Sequence, residues 1–144
     1  MKYVIFSIFM SLGILINLSI MNNFFYFKIP IFMINPKLYK IISIVIYLIT
    51  SIAISKTINN VYKKLIIIIA INFILYTLFN IFTFKILSPF LSFATKTFNF
   101  VSSLYLNEEL FLQNKKNAKL LAPYILWTFY LTLTSISIFF INNS

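Results

Sequence analysis

Few side chains in this 144-residue chain could carry out chemistry. It has no Cys, His or Asp, its acids are Glu108 and Glu109 alone, and all twelve of its cations are lysines. Those absences exclude Cys–His and Ser–His nucleophile relays, zinc and iron sites of the usual ligand types, and disulfides. With Gly13 as its single glycine, the chain cannot build a glycine-rich phosphate loop. Glu108 and Glu109 are adjacent, so on a helix they point to different faces and cannot form a paired general acid and base. They read better as interfacial partners of Lys115 and Lys116. Lys96 is different, because an ionisable group inside an apolar run is a functional-site hypothesis by default. It falls about two turns, roughly 10 Å, from its helix start, and its four-carbon stem is expected to snorkel to the headgroups. No catalytic residue, metal or resident cofactor is expected, and the chain does not read as an enzyme.

The remaining polar side chains recur at helical spacing within apolar runs. Ser43, Tyr47 and Ser51 share one face; so do Asn72, Tyr76 and Asn80; Ser92, Lys96, Asn99 and Ser103; and Tyr124, Thr128, Thr132 and Ser135. Ser7 and Ser11 add a small-residue contact on an earlier run. In hydrocarbon each such group needs a partner inside the bundle or a wet cavity. Two readings follow. The stripes are packing seams that bond across helices, or several converge to give a pocket with a few polar groups on apolar walls.

Composition sets the elements that position these residues. At 61% hydrophobic and 10% charged, with a mean hydropathy of +0.97, the chain lies well outside the soluble range of about 45–50% apolar and about 25% charged. A crossing helix needs about 20 apolar residues, and five such runs can be placed, at about 3–21, 36–56, 64–85, 89–112 and 118–141. The fold class is therefore an all-α membrane protein, a single domain over 1–144 built as a bundle of five transmembrane helices. Asn35-Pro36 and Ser88-Pro89 each read as a cap followed by proline at the first helical position. The first run lacks a small-residue cleavage site and is expected to be retained as a span. Residues 22–35, with Lys28 and Pro30 among Phe24, Tyr26 and Phe32, are too short to cross and too apolar for water. They are expected to fold over the bundle mouth as a lid.

The formal charge of +10 does not point to nucleic acid, since the lysines are scattered one to three at a time between apolar runs. Lys2, Lys56, Lys63, Lys64, Lys115, Lys116 and Lys119 fall at one set of span ends; Lys28, Lys37, Lys40 and Lys85 fall at the other. The richer side is expected to be cytoplasmic. That places the N-terminus in the cytoplasm, and the expected location is a bacterial cytoplasmic membrane.

The fifth run begins Leu120-Leu121-Ala122-Pro123-Tyr124-Ile125-Leu126-Trp127, and this approach to Pro-Tyr-x-x-Trp resembles the last helix of the translocator protein family. Its members are also called tryptophan-rich sensory proteins or peripheral benzodiazepine receptors. Lys28-Ile29-Pro30, Asn35-Pro36 and Tyr47 resemble landmarks before and within the family's second helix. Asn72 with Tyr76-Thr77, Ala94-Thr95, Ala118 and Asn142 resemble later ones. The resemblance implies a five-helix bundle, commonly a homodimer, with a pocket for porphyrin, haem or another hydrophobic small molecule under the loop joining the first two helices. By family position the ligand-binding residues would be Tyr47, Trp127, Leu131 and Thr134, with Phe32 from the lid. Trp127 is the only tryptophan, so the light-dependent porphyrin degradation known among relatives is not expected.

Two functions remain open: a membrane receptor or carrier for a tetrapyrrole-like ligand, and a ligand-free structural or assembly subunit. Five spans cannot divide into the equal halves of a repeat-built transporter. Topology is directly testable, because reporter fusions after Asn60 and after Ser144 are expected to report opposite sides of the membrane. The same side for both would show that the fourth run does not cross.

Overall fold

Hydrocarbon offers a backbone amide no water to bond, so an apolar run must close its hydrogen bonds within itself, and a helix does so in one segment. The computed structural model describes residues 32, 34, 36–57, 63–86, 88–113 and 115–143. Their elements are α1 (Pro36–Thr57), α2 (Lys63–Phe84), α3 (Pro89–Gln113), α4 (Lys115–Leu120) and α5 (Ala122–Asn143), with no strand among the described residues. The expected first span and most of the lid-like stretch 22–35 lie outside them. Helices α1, α2 and α5 have 22 residues each and α3 has 25, lengths of roughly 33–38 Å at 1.5 Å per residue. The stretch Ala118–Asn142 is both long and apolar enough to cross a membrane, and Ile67–Thr83 of α2 is a shorter apolar segment.

The helix ends follow local chemistry. Ser88 caps α3 as its spacing from Pro89 predicts: its Oγ accepts from the Leu91 amide at 3.4 Å and its carbonyl from the Ser92 amide at 3.0 Å. The last carbonyls of α2 are met by the turn itself, with Ile86 N–H donating to Ile81 at 2.9 Å and Ser88 N–H to Phe82 at 2.9 Å. This tight connection sets α2 and α3 side by side. The run expected as one helix over 118–141 is instead broken at Leu121. Pro123 has no amide hydrogen to continue the helical ladder, and Leu121 N–H bonds back to Ala118 at 3.1 Å. The lysine-bearing turn thereby becomes the separate α4.

Helix α3 is central and packs most extensively against α2 and α5, while α1 lies against α4 and α5. The distribution of polarity is the reverse of a soluble bundle. Every residue of the four stripes on α1, α2, α3 and α5 is buried, whereas Ile41, Val45 and Leu48 of α1, Phe98 and Val101 of α3, and Leu126, Phe129 and Phe140 of α5 are exposed. In water so broad an apolar surface would be a liability. Against lipid tails it is the ordinary exterior.

The stripes divide into two kinds of bond. Most hydroxyls turn back on their own helix: Ser51 to the Tyr47 carbonyl at 2.8 Å, Thr132 to Thr128 at 2.7 Å and Ser135 to Leu131 at 2.7 Å. Asn72, Asn99 and Tyr124 bridge helices instead. Asn72 Nδ2 donates to the Asn99 carbonyl at 3.4 Å and to Ser103 Oγ at 3.0 Å, and Asn99 Nδ2 returns a bond to the Asn72 carbonyl at 3.1 Å. The Tyr124 hydroxyl closes the knot by donating to Asn72 Oδ1. Helices α2, α3 and α5 are thus joined at one level. Asn72→Ala is expected to cost about 1–2 kcal/mol, since it leaves buried partners unpaired, and Ser135→Ala close to nothing. Reversible unfolding in mixed detergent micelles measures both.

Candidate functional site

Trp127 and Tyr130 stand three residues apart on α5 and so share a face. Their rings stack, with centroids 5.5 Å apart at 26°. Tyr39, in the first turn of α1, brings its ring to 5.3 Å from Trp127. Trp127 is only 7% exposed, and its Nε1–H has no hydrogen-bond partner among the described residues. Phe32 and Ile34 meet this group through Tyr130. The Tyr130 hydroxyl donates to the Phe32 carbonyl at 3.2 Å and accepts from the Ile34 amide at 3.1 Å, so one phenol ties the chain entering α1 to the middle of α5.

A second aromatic group lies further along α1. Tyr47 packs on Tyr76 at 4.6 Å and meets Tyr124 edge-on at 6.4 Å. Beside it a cavity of about 10 Å³ is bounded by Tyr47, Thr50, Asn72, Leu106 and Tyr124, among others, close to the volume of a single water.

These positions compare with the expected site as follows. Trp127, Leu131 and Thr134 are all buried on α5, but the Thr134 hydroxyl donates to the Tyr130 carbonyl at 2.9 Å, within its own helix. Among the described residues Tyr47 has its ring contacts with Tyr76 and Tyr124, whereas those of Trp127 are to Tyr39 and Tyr130. Phe32 is 53% exposed, and its carbonyl accepts from Tyr130 of α5. Sequence reasoning missed Tyr39 and Tyr130. The signal was present, since Tyr130 follows Trp127 at helical spacing and Asn35-Pro36 puts Tyr39 in the first turn.

Lys96 does not snorkel to the headgroups as its distance from the helix start predicts; it is 0% exposed. Its Nζ donates to Asn99 Oδ1 at 3.1 Å and lies 4.6 Å from the Tyr76 ring centroid and 4.5 Å from that of Phe79. The carbonyl oxygen and the two π faces give the ammonium inside the bundle the contacts it was expected to seek outside. Near the end of α3, Lys115 extends its Nζ over the Phe111 ring at 5.5 Å.

The sequence profile of the TspO/MBR family matches residues 4–141, nearly the whole chain. The chain belongs to the TspO/MBR family. It is therefore an integral membrane protein, all-helical in its described part, from a family of membrane ligand-binding receptors and carriers. No curated protein matches it. Within this family member the Tyr130 tie can be tested by itself. Tyr130→Phe removes two hydrogen bonds and almost no apolar surface, so amide exchange at Ile34 is expected to accelerate about three- to tenfold, matching about 0.5–1.5 kcal/mol.

Proposed function

We propose that this TspO/MBR protein is a membrane receptor or carrier that binds a flat hydrophobic ligand of tetrapyrrole type, porphyrin or haem, beside Trp127. In this reading the chain forms five spans with a cytoplasmic N-terminus and pairs as a homodimer. Its role is binding, not catalysis. The observation that carries the proposal is the buried Nε1–H of Trp127, which has no partner among the described residues and lies within an aromatic group whose Tyr130 bonds to Phe32 and Ile34. A buried tryptophan N–H usually finds an acceptor, and a ligand carbonyl or carboxylate would supply one while its ring system stacks on Trp127, Tyr39 and Tyr130.

One observation favours the second reading, a ligand-free assembly subunit. The polar stripes are largely satisfied within the bundle, as packing seams would be. Titration with protoporphyrin, read from the porphyrin's own absorption band, separates the two. Trp127→Ala is expected to weaken binding by about 1–3 kcal/mol through lost stacking and burial. Pro123→Ala, which alters a helix bend and removes no aromatic face, should leave affinity unchanged. Equal binding by wild type and Trp127→Ala would reject the pocket and favour the assembly subunit.

A further inference from the structure

We infer that Lys96 is the anchor for the carboxylate of an amphiphilic ligand, so that this bundle selects hydrophobic acids over their neutral counterparts. The ammonium is fully buried, and its neighbours Asn99 Oδ1, Tyr76 and Phe79 carry no formal charge. The chain has only two acidic side chains, Glu108 and Glu109, twelve and thirteen residues further along the same helix and thus about 18 Å or more away. No ion pair reaches Lys96 among the described residues. An uncompensated buried ammonium is strongly unfavourable, and with no acid of its own chain in reach, a bound carboxylate would hold Lys96 in its charged form as an ion pair.

The surroundings narrow the anion's chemistry. A single ammonium between aromatic faces balances one negative charge, which suits a carboxylate on an apolar body better than a heavily hydrated phosphate. The Tyr76 ring that faces the Lys96 ammonium packs on Tyr47, and Tyr47 meets Tyr124, which stands one turn before Trp127 on α5. A ligand stacked on Trp127 would carry its acidic side arm along these rings to Lys96. For the ligand's body this inference rests on the tetrapyrrole reading; for its anionic group it does not.

The experiment compares acids with their esters in phosphatidylcholine nanodiscs, using protoporphyrin IX against its dimethyl ester and the fluorescent fatty acid cis-parinaric acid against its methyl ester. Wild type is expected to bind each acid at least about tenfold more tightly than its ester. Lys96→Met should remove that preference while leaving ester affinity unchanged, which also reports correct folding. Lys96→Gln is the second variant and should likewise abolish the preference. Equal binding of acid and ester by wild type, or a preference surviving in Lys96→Met and Lys96→Gln, would overturn the inference while leaving porphyrin binding itself intact. A Lys96-dependent preference for parinaric acid with no porphyrin bound in either form would support the inference and remove the tetrapyrrole reading. Loss of the preference when phosphatidylglycerol is added to the nanodiscs would assign Lys96 to a lipid phosphate and overturn the carboxylate.

Discussion

The reciprocal amide clasp between Asn72 and Asn99 is the interaction on which the rest of the bundle depends. Each side chain donates to the other's backbone carbonyl, and the Tyr124 hydroxyl donates to Asn72 Oδ1. In water such bonds exchange with solvent for little net gain, but inside a bilayer no solvent stands ready to replace them. Helices α2, α3 and α5 are therefore fixed in register at the level of this knot. The register in turn determines what lies one turn away: Lys96 and Tyr76 beyond Asn99 and Asn72, and Trp127 beyond Tyr124.

That register explains how a lysine comes to be fully buried. Asn99 is held by Asn72 and Tyr124, and its remaining oxygen accepts from Lys96 Nζ. The α2 turn that carries Asn72 also carries Tyr76 and, one turn on, Phe79, whose rings cover the ammonium. The structural clasp and the buried lysine thus share a residue. Mutation of Asn99 would disturb both, whereas Lys96 can be changed with the clasp left in place.

Much of the scaffold was legible because hydrocarbon leaves few choices. Among the described residues the chain is helical over Pro36–Thr57, Lys63–Phe84, Pro89–Gln113 and Ala122–Asn143, Ser88-Pro89 acts as cap and first turn, and all four polar stripes face inward. What could not be read was how each polar group is satisfied. Spacing alone does not distinguish a serine that bonds back to its own helix, as Ser135 does, from an asparagine that reaches across, as Asn72 does. Nor does distance from a helix start decide the fate of Lys96, since snorkelling competes with interior partners contributed by another helix. The break at Leu121 was obscured by continuous hydropathy, although Pro123 was in plain view. In the aromatic group, attention to family positions favoured Tyr47, Leu131 and Thr134, while the ring contacts of Trp127 are to Tyr39 and Tyr130.

In the candidate site the Trp127 indole N–H has no partner among the described residues, and Tyr130 beside it bonds to Phe32 and Ile34 ahead of α1. That indole belongs to the chain's only tryptophan, so intrinsic fluorescence reports on this location alone. Titration of wild-type protein in nanodiscs with protoporphyrin, followed by Trp127 emission, is the most direct test of the account. Ligand seated against the indole predicts quenching that saturates at one porphyrin per chain. Emission that stays constant, or that falls linearly with added porphyrin and never saturates, would contradict it.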